Sequence, residues 1–230
     1  MRFSVQEDVF ADVAGLRLAV GWLEIPRAPT KAEALSRIGP AWEAAAGVRA
    51  EPLASHPMLA PWRDVFRRLG LPARDYLPSV EALLRRARRG GPPLQVLPLV
   101  DAYNAISLRW LVPVGAFDLT GLAGDILLGR TRGGEAFWPI GAQGAEQVAA
   151  GELCYLDGER VLTRHFVWRQ SIWGMIRPET RRLFLVSELL PMAHALAQDV
   201  LADFASIAQE LGGRAELDLL DQEHRASEGL

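Results

Sequence analysis

The segment ELCYLDGERVLTR, residues 152–164, decides how the middle of this chain folds. It holds two apolar runs on either side of Asp157-Gly158, and Asp-Gly between apolar runs is the strongest short-range signal for a β-hairpin. Glu159 makes the predicted loop longer than the minimal two residues. Similar runs, bounded by glycine-rich turns, occur at Asp125–Arg130, Ala136–Ile140 and Leu183–Val186. Together these runs predict an antiparallel sheet.

Helical patterns lie on both sides of these runs. A strand pattern at Leu16–Glu24 precedes a helix that begins after Thr30, which has the capping-box spacing to Glu33. Gly39-Pro40 predicts a kink or a break in this helix. Further helices are predicted at Pro57–Leu69, at Val80–Arg89 with Ser79 as N-cap, at Leu99–Trp110 and at Pro191–Leu211. The polar tail after Leu211 is predicted to fray.

The order of these elements predicts an α+β fold, with a mostly antiparallel sheet flanked by helices. The chain has 230 residues, of which 50% are hydrophobic, so it can bury a large core and is not intrinsically disordered. We expect one domain over residues 1–230. It comprises a strand and a helix-rich part in 1–90, the core sheet in 91–190, and a C-terminal helix and tail in 191–230.

Composition excludes several classes of protein. No apolar run reaches the roughly 18–20 residues that a bilayer span needs, and the first residues lack the layout of a signal peptide. A cytoplasmic protein without a membrane partner is therefore expected. The single cysteine, Cys154, lies in an apolar run and is predicted to be a small core residue. The four histidines show no metal-ligand spacing and no phosphate-binding glycine motif occurs, so neither a metal nor a cofactor is predicted.

Charge is distributed unevenly along the chain. The net charge of −3 argues against a protein that coats nucleic acid indiscriminately, and DNA is not an expected partner. Residues 60–90 nevertheless hold eight arginines and three acids, whereas residues 191–230 hold two arginines and eight acids. The candidate RNA-binding residues are Arg85, Arg86, Arg88 and Arg89. They end a predicted helix, so they either contact phosphates or complement the helix dipole in solvent.

A second polar cluster lies at residues 164–171. Arg164, His165, Arg169, Gln170 and Ser171 place hydrogen-bond donors within eight residues, interleaved with two aromatic residues. Donors beside aromatic rings suit a nucleotide or an aminoacyl ester. An edge strand with alternating exposed polar residues is the other interpretation. No serine-nucleophile motif occurs, so nucleophilic catalysis has no direct support in the sequence.

Two motifs in fixed register carry a family resemblance. They are Val-Asp-Ala-Tyr-Asn at residues 100–104 and Pro-Val-Gly-Ala-Phe-Asp at residues 113–118. This pair resembles the B3/B4 editing domain of the phenylalanyl-tRNA synthetase β subunit, which carries Val-Asp-x-x-Asn followed by Pro-x-His-Ala-Phe-Asp. The resemblance covers roughly residues 78–190, and the whole chain is similar to the free-standing members of that family. It implies an α+β domain whose partner is tRNA or aminoacyl-tRNA.

The resemblance also implies an activity and a site. In the synthetase this domain hydrolyses tyrosine wrongly attached to tRNA(Phe), by the attack of a positioned water on the aminoacyl ester. Asn104 matches the asparagine near the family's pocket, and Ala116 and Phe117 match the loop beside it. Gly115 replaces the family's histidine. The glutamate that contacts the tyrosine hydroxyl should fall near residues 169–173, where no carboxylate occurs.

These departures leave three hypotheses for function. The first is hydrolysis of a mischarged aminoacyl-tRNA, in a cleft formed by Asn104, Gly115–Phe117 and the 164–171 cluster. The second is an RNA-binding module that kept the fold and lost the chemistry. The third is a binder or hydrolase of a free amino acid or its ester, which the acidic net charge favours. All three require the two segments to line one shared cleft.

Overall fold

Two β-sheets form the centre of the computed structural model, which describes residues 1–49, 52–72 and 74–229. The strands are β1 (Arg2–Val5), β2 (Arg17–Glu24), β3 (Gly115–Asp118), β4 (Ile126–Arg130), β5 (Ala136–Phe137), β6 (Glu146–Gln147), β7 (Leu153–Asp157), β8 (Arg160–Arg164), β9 (Arg169–Gln170), β10 (Arg182–Leu189), β11 (Arg214–Leu220) and β12 (Ala226–Glu228). The helices are α1 (Glu7–Asp12), α2 (Lys31–Ala46), α3 (Ala60–Arg68), α4 (Ser79–Arg88), α5 (Pro98–Trp110) and α6 (Ala197–Glu210).

The larger sheet has the strand order β12-β1-β4-β7-β8-β5-β6, and β9 pairs with β8. The smaller sheet has the order β11-β2-β10-β3, so β3 is an edge strand. Most pairs are antiparallel, whereas β1 with β4 and β5 with β8 are parallel. The α+β fold with a mostly antiparallel sheet is thereby confirmed.

The smaller sheet is the middle layer of the molecule. Along β2, the side chains of Leu18, Val20 and Trp22 pack in the core between the two sheets, whereas Ala19 and Leu23 pack against α5 and α6. This alternation follows from the period of two residues in a strand. Each fully buried side chain of this size contributes roughly 1.5–3 kcal/mol, so both faces of the sheet stabilise the fold.

A separate helical core joins α2, α4 and α5. The predicted capping box of α2 is confirmed, because the Thr30 side chain accepts a hydrogen bond from the backbone N–H of Glu33 while the Glu33 carboxylate accepts one from Thr30. Of the kink or break predicted at Gly39-Pro40, the break does not occur, since α2 is continuous through Pro40. A proline in a helix interior costs about 3 kcal/mol, which the burial of Ile38 and Trp42 on this helix offsets.

The C-terminal tail of the 191–230 part is not frayed. Residues 214–220 form β11, which pairs with β2 along its length, and β12 pairs with β1 at the edge of the larger sheet. The prediction was wrong because β11 is an edge strand with a solvated face, so its sequence is polar although its backbone is paired. The strand β1 and the helix α1 were also missed.

Three smaller expectations need correction. Ser79 is the first residue of α4 and its side chain makes no cap, because Pro78 occupies the N-cap position. Asp157 pairs with Arg160, so the β7–β8 loop is the minimal two residues. The C-terminal helical segment begins as a 3₁₀ turn at Pro191–Leu196 before α6. Cys154, in contrast, is fully buried, as predicted. No helix among the described residues is long and apolar enough to cross a membrane.

Candidate functional site

A cavity of about 160 Å³ lies between the two sheets, beside α5. We call it the central cavity. The predicted site residues that line it are Asn104, Gly115, Ala116, Phe117, Arg169 and Gln170. The 101–118 stretch and part of the 164–171 cluster therefore meet at one cleft. The other lining residues include Ser79, Tyr155, Trp168 and Glu188.

The fold brings the two motifs together through a tight reversal. Helix α5 ends at Trp110, the C-cap residue Leu111 has a left-handed φ of 55°, and the chain returns as the edge strand β3. Asn104 is half-buried on α5, and its side chain makes no hydrogen bond to a described residue. The Gln170 side chain donates a hydrogen bond of 2.8 Å to the carbonyl of Ala116 and so joins β9 to β3. The motif ends at Asp118, whose carboxylate accepts hydrogen bonds from the hydroxyls of Thr120 and Thr180.

Strand β3 exposes backbone groups at its free edge. The N–H of Asp118 donates to Gly174 outside the β3–β10 ladder, and the carbonyl of Ala116 accepts from Gln170 on the same side. Because the N–H and C=O of one residue point to the same side in an antiparallel strand, the Ala116 N–H also points away from β10. It is thus a backbone donor at the wall of the central cavity.

Gly115 leaves space in this wall. A Cβ atom added at this position would have Val186 Cγ1 as its nearest neighbour, at 4.0 Å. The backbone of Gly115 is not in the left-handed region, so neither packing nor conformation requires glycine here. Glycine at this position therefore leaves more open space in the cavity wall than a residue with a side chain would.

The buried end of the cavity carries a carboxyl group that the sequence analysis did not identify. Glu188 on β10 is only 4% exposed, and the Tyr155 hydroxyl donates a hydrogen bond to its Oε1 atom. Burial raises the pKa of Glu188 to about 8, although the bond from Tyr155 partly opposes this shift. At neutral pH the carboxyl is mainly protonated and can donate as well as accept. The sequence does carry a signal for this site. Glu188 follows Phe184 and Val186 at alternate positions of an apolar strand, so its carboxyl group is expected on the buried face.

Arg164 and His165, two members of the predicted cluster, contact carboxylates outside the central cavity. The Arg164 guanidinium donates to Glu152 at 2.6 and 2.8 Å and to Glu146 at 2.8 Å. The His165 ring packs against Tyr76, and its Nδ1 lies 3.2 Å from Glu152. Burial alone would raise the pKa of Glu152, but Arg164 and His165 lower it on balance. These carboxylates hold both residues away from the central cavity, and the expectation that they line it is wrong.

Ser171 is also not a cavity residue. It is fully buried, and its hydroxyl donates to the carbonyl of Trp138 at 3.0 Å. The same oxygen accepts a hydrogen bond from the N–H of Trp173. Ser171 therefore fixes the turn that follows β9 and has no role in the wall of the cavity.

The outer side of the cavity is cationic and aromatic. Arg169 is exposed, its Cζ atom lies 6.0 Å from the centroid of the Trp168 ring, and it forms no ion pair with a described residue. Helix α4 begins at Ser79, in the cavity wall, so the positive end of its dipole faces this region. Both features favour an anionic group on the outer side.

The predicted RNA-binding arginines lie at the other end of α4, three of them on its last turn. Arg85 donates to the buried carboxylate of Glu81 at 2.8 Å, and Arg63 of α3 shares the same oxygen. Arg86 and Arg89 are exposed, and Arg88 is half-buried. A helix of ten residues is about 15 Å long. A few nucleotides of RNA can therefore span the distance between these side chains and the central cavity.

Nothing in the described ranges suggests a metal centre. Across residues 1–49, 52–72 and 74–229, no group of three or more His, Cys, Asp or Glu side chains converges in a way that could hold a metal ion. The chemistry available at the central cavity is that of hydrogen-bond donors and of one buried carboxyl group.

The B3/4 domain family matches residues 61–206, which is more than half of the chain. The chain therefore belongs to the B3/4 domain family. Among solved structures, it is similar to the crystal structure of an N-terminal fragment of the phenylalanyl-tRNA synthetase β-subunit from Pyrococcus horikoshii, with 13% sequence identity and a TM-score of 0.47. That similarity covers 95% of this chain and 54% of the fragment, so this chain spans about half of the fragment's length. A comparison with curated proteins gave no match.

Proposed function

We propose that this protein hydrolyses the ester bond of a mischarged aminoacyl-tRNA, with the amino acid bound in the central cavity. One observation carries the proposal: the residues of the two family motifs and the Arg169–Gln170 strand line one cavity, and that cavity has a buried polar end and a cationic outer side. The amino acid side chain enters toward Glu188, and the ribose and RNA remain outside.

The size of the cavity supports this orientation. A cavity of about 150 Å³ holds benzene in an engineered protein core, and the central cavity measures about 160 Å³. It therefore accepts one amino acid side chain of the size of an aromatic ring. A nucleotide does not fit in this volume, so the RNA must lie at the surface.

The donors at the cavity wall suit ester hydrolysis. A water molecule attacks the acyl carbon, the C–O bond to the ribose breaks, and the ribose hydroxyl leaves with a proton as the free amino acid forms. The carbonyl oxygen becomes an oxyanion in between, and the Ala116 N–H and the Asn104 amide are the donors we assign to it. One such donor typically contributes 10²–10³ to the rate. The neighbouring ribose hydroxyl orients the water.

Glu188 provides a basis for selectivity. A protonated carboxyl group can both donate to and accept from a hydroxyl on the amino acid side chain. An apolar side chain at the same place leaves the buried group without this partner, which costs on the order of 1–3 kcal/mol. We therefore expect amino acids with a side-chain hydroxyl to be removed about tenfold faster than apolar ones of similar size.

Binding without hydrolysis is the second candidate, and Gly115 is the observation that favours it. The resemblance places a histidine at this position, and glycine offers no side chain that could take its role; a Cβ atom here would have only Val186 Cγ1 within 4.0 Å. Under this alternative the protein would hold an aminoacyl-RNA or a free amino acid without cleaving an ester.

A deacylation assay over a panel of mischarged aminoacyl-tRNAs tests the proposal. We expect loss of the ester above the buffer rate for at least one hydroxyl-bearing amino acid, and a decrease of 10²-fold or more in Asn104→Ala. Arg177→Ala, an exposed arginine outside the cavity, is the matched control and should retain the wild-type rate. Buffer-rate deacylation of every substrate, together with binding of a non-hydrolysable amide analogue, would favour the second candidate instead.

A further inference from the structure

We infer that Trp168 and Arg169 form a nucleotide subsite, in which a purine base stacks on the Trp168 ring and Arg169 binds the adjoining phosphate. This inference rests on the proposed function, because it places the nucleoside that carries the acyl group. It adds a ligand-binding role for Trp168, a residue that the two family motifs do not contain.

Trp168 differs from two other tryptophans whose indole N–H groups have partners within the protein. Trp22 donates its indole N–H to Ser227 in the core, and Trp138 donates its indole N–H to the carbonyl of Ala142. Trp168 lines the central cavity, is half-buried, and makes no indole hydrogen bond to a described residue. A large aromatic side chain at a cavity wall with an unused donor is suited to a ligand.

The ring of Trp168 is held in place before any ligand arrives. Tyr76 contacts it edge-on, with ring centroids 4.8 Å apart, and the ring of His165, in the same turn as Trp168, lies 5.2 Å away. The turn that carries it contains His165 and Phe166, both with positive φ, at 49° and 65°. Such strain persists only where the surroundings impose it, and here the fully buried Phe166 anchors the turn. A fixed ring binds with little loss of conformational entropy.

Arg169 supplies the charge that a nucleotide requires. It faces Arg164 directly across the β8–β9 pair, yet the two arginines differ in their partners. Glu152 and Glu146 neutralise Arg164, whereas Arg169 forms no ion pair with a described residue and remains exposed. An unpaired guanidinium beside an aromatic ring matches a phosphate beside a base, since Arg binds phosphate through two parallel hydrogen bonds and bases stack on tryptophan.

Titration of the isotope-labelled protein with adenosine 5′-monophosphate, adenosine and ribose 5-phosphate tests this subsite. We expect the indole N–H resonance of Trp168, assigned by its loss in Trp168→Phe, to shift with both adenine compounds. Binding of the monophosphate should exceed that of adenosine, and Arg169→Ala should remove this difference. An unshifted Trp168 resonance with all three probes, measured in the wild-type protein, would overturn the inference.

Calorimetry with a non-hydrolysable 3′-aminoacylamido-adenosine provides a second measure. We expect Trp168→Ala to weaken its binding about 10- to 100-fold, as for loss of one stacked base. Trp138→Ala removes a half-buried tryptophan outside the cavity and should leave the affinity unchanged. Equal effects of the two variants would overturn the subsite. If the nucleotide shifts Trp168 but no ester is hydrolysed, the inference stands and the hydrolysis proposal fails, so the two failures are distinguishable.

Discussion

Glu152, which directly precedes β7, and Glu188 on β10 have pKa values shifted in opposite directions. Glu152 is paired with Arg164, and its pKa is lowered below the ordinary value. Glu188 accepts a hydrogen bond from the neutral hydroxyl of Tyr155 and forms no ion pair with a described residue, and burial raises its pKa to about 8. For Glu152 the charged partner outweighs partial burial, whereas Glu188 is more deeply buried and has a neutral partner. Glu152 therefore fixes the structure around it, whereas Glu188 is available to a ligand.

The strongest test of this comparison is the pH dependence of stability. The pKa of Glu188 is about 8 in the folded protein, against an ordinary value of 4.5. Between these values the folded state holds a proton that the unfolded chain has lost, so the stabilisation present below pH 4.5 is lost as the pH rises through 8. We expect the free energy of unfolding to fall by about 3 kcal/mol from pH 5 to pH 8 relative to Glu188→Gln, measured by urea denaturation. Parallel pH profiles for the two proteins would show that Glu188 does not titrate in this range.

The second prediction concerns the charged pair. Glu152→Ala leaves the partly buried Arg164 without its bidentate partner, and we expect a loss of about 2 kcal/mol in the free energy of unfolding at pH 7. Glu146→Ala removes the other partner of the same arginine and is the matched control. The Glu146 side chain is 55% exposed, against 11% for Glu152, so its loss should cost less than about 0.5 kcal/mol. Equal losses would mean that burial does not distinguish the two ion pairs.

The third prediction separates the two arginines of the β8–β9 pair. Arg169→Ala should reduce kcat/KM for deacylation about tenfold while changing the free energy of unfolding by less than about 0.5 kcal/mol, because it removes no protein contact of consequence. Arg164→Ala should instead lower stability, as its guanidinium joins Glu152 and Glu146. A destabilised Arg169→Ala with normal kcat/KM would reverse the roles we assign.

The smallest expected effect lies on α4. Arg86→Ala should weaken tRNA binding slightly and reduce the slope of log affinity against log salt concentration by about 1, the value for one lost phosphate contact. Arg177→Ala serves as the control at an exposed arginine away from this helix. If the slope is unchanged in Arg86→Ala and Arg89→Ala alike, the arginines at the end of α4 are solvated charges that complement the helix dipole.

Much of the fold follows from local patterns. Three local patterns predicted their elements with boundaries within a few residues of those observed. They are the strand pattern at Leu16–Glu24, the capping box at Thr30 and the apolar runs around Asp157-Gly158. The errors occurred where tertiary packing overrode local preference. Residues 214–220 are polar and nonetheless paired with β2, and α2 continues through Pro40 because its apolar face is buried.

The candidate site was predictable only in part. The sequence motifs identified Asn104 and Gly115–Phe117, and the adjacent polar cluster identified Arg169 and Gln170, all of which line the central cavity. The same cluster also suggested Arg164 and His165, whose carboxylate partner Glu152 lies more than ten residues away in the chain. The sequence pattern included Trp168 as one of the two aromatic residues in this cluster and assigned it no role of its own.

The sequence by itself determined the fold class, the family motifs and the distribution of charge, because these depend on periodicity and on residue types at fixed spacing. Only the tertiary structure decided which arginine is neutralised and which carboxyl group is protonated. Those properties depend on the partner and the amount of water within a few ångströms of each group. In this protein Arg164 meets Glu152 and Glu146 within the region of the larger sheet, so strand pairing in that sheet decides its partners. Glu188 on the smaller sheet meets Tyr155 on the larger one, so its partner depends on how the two sheets pack.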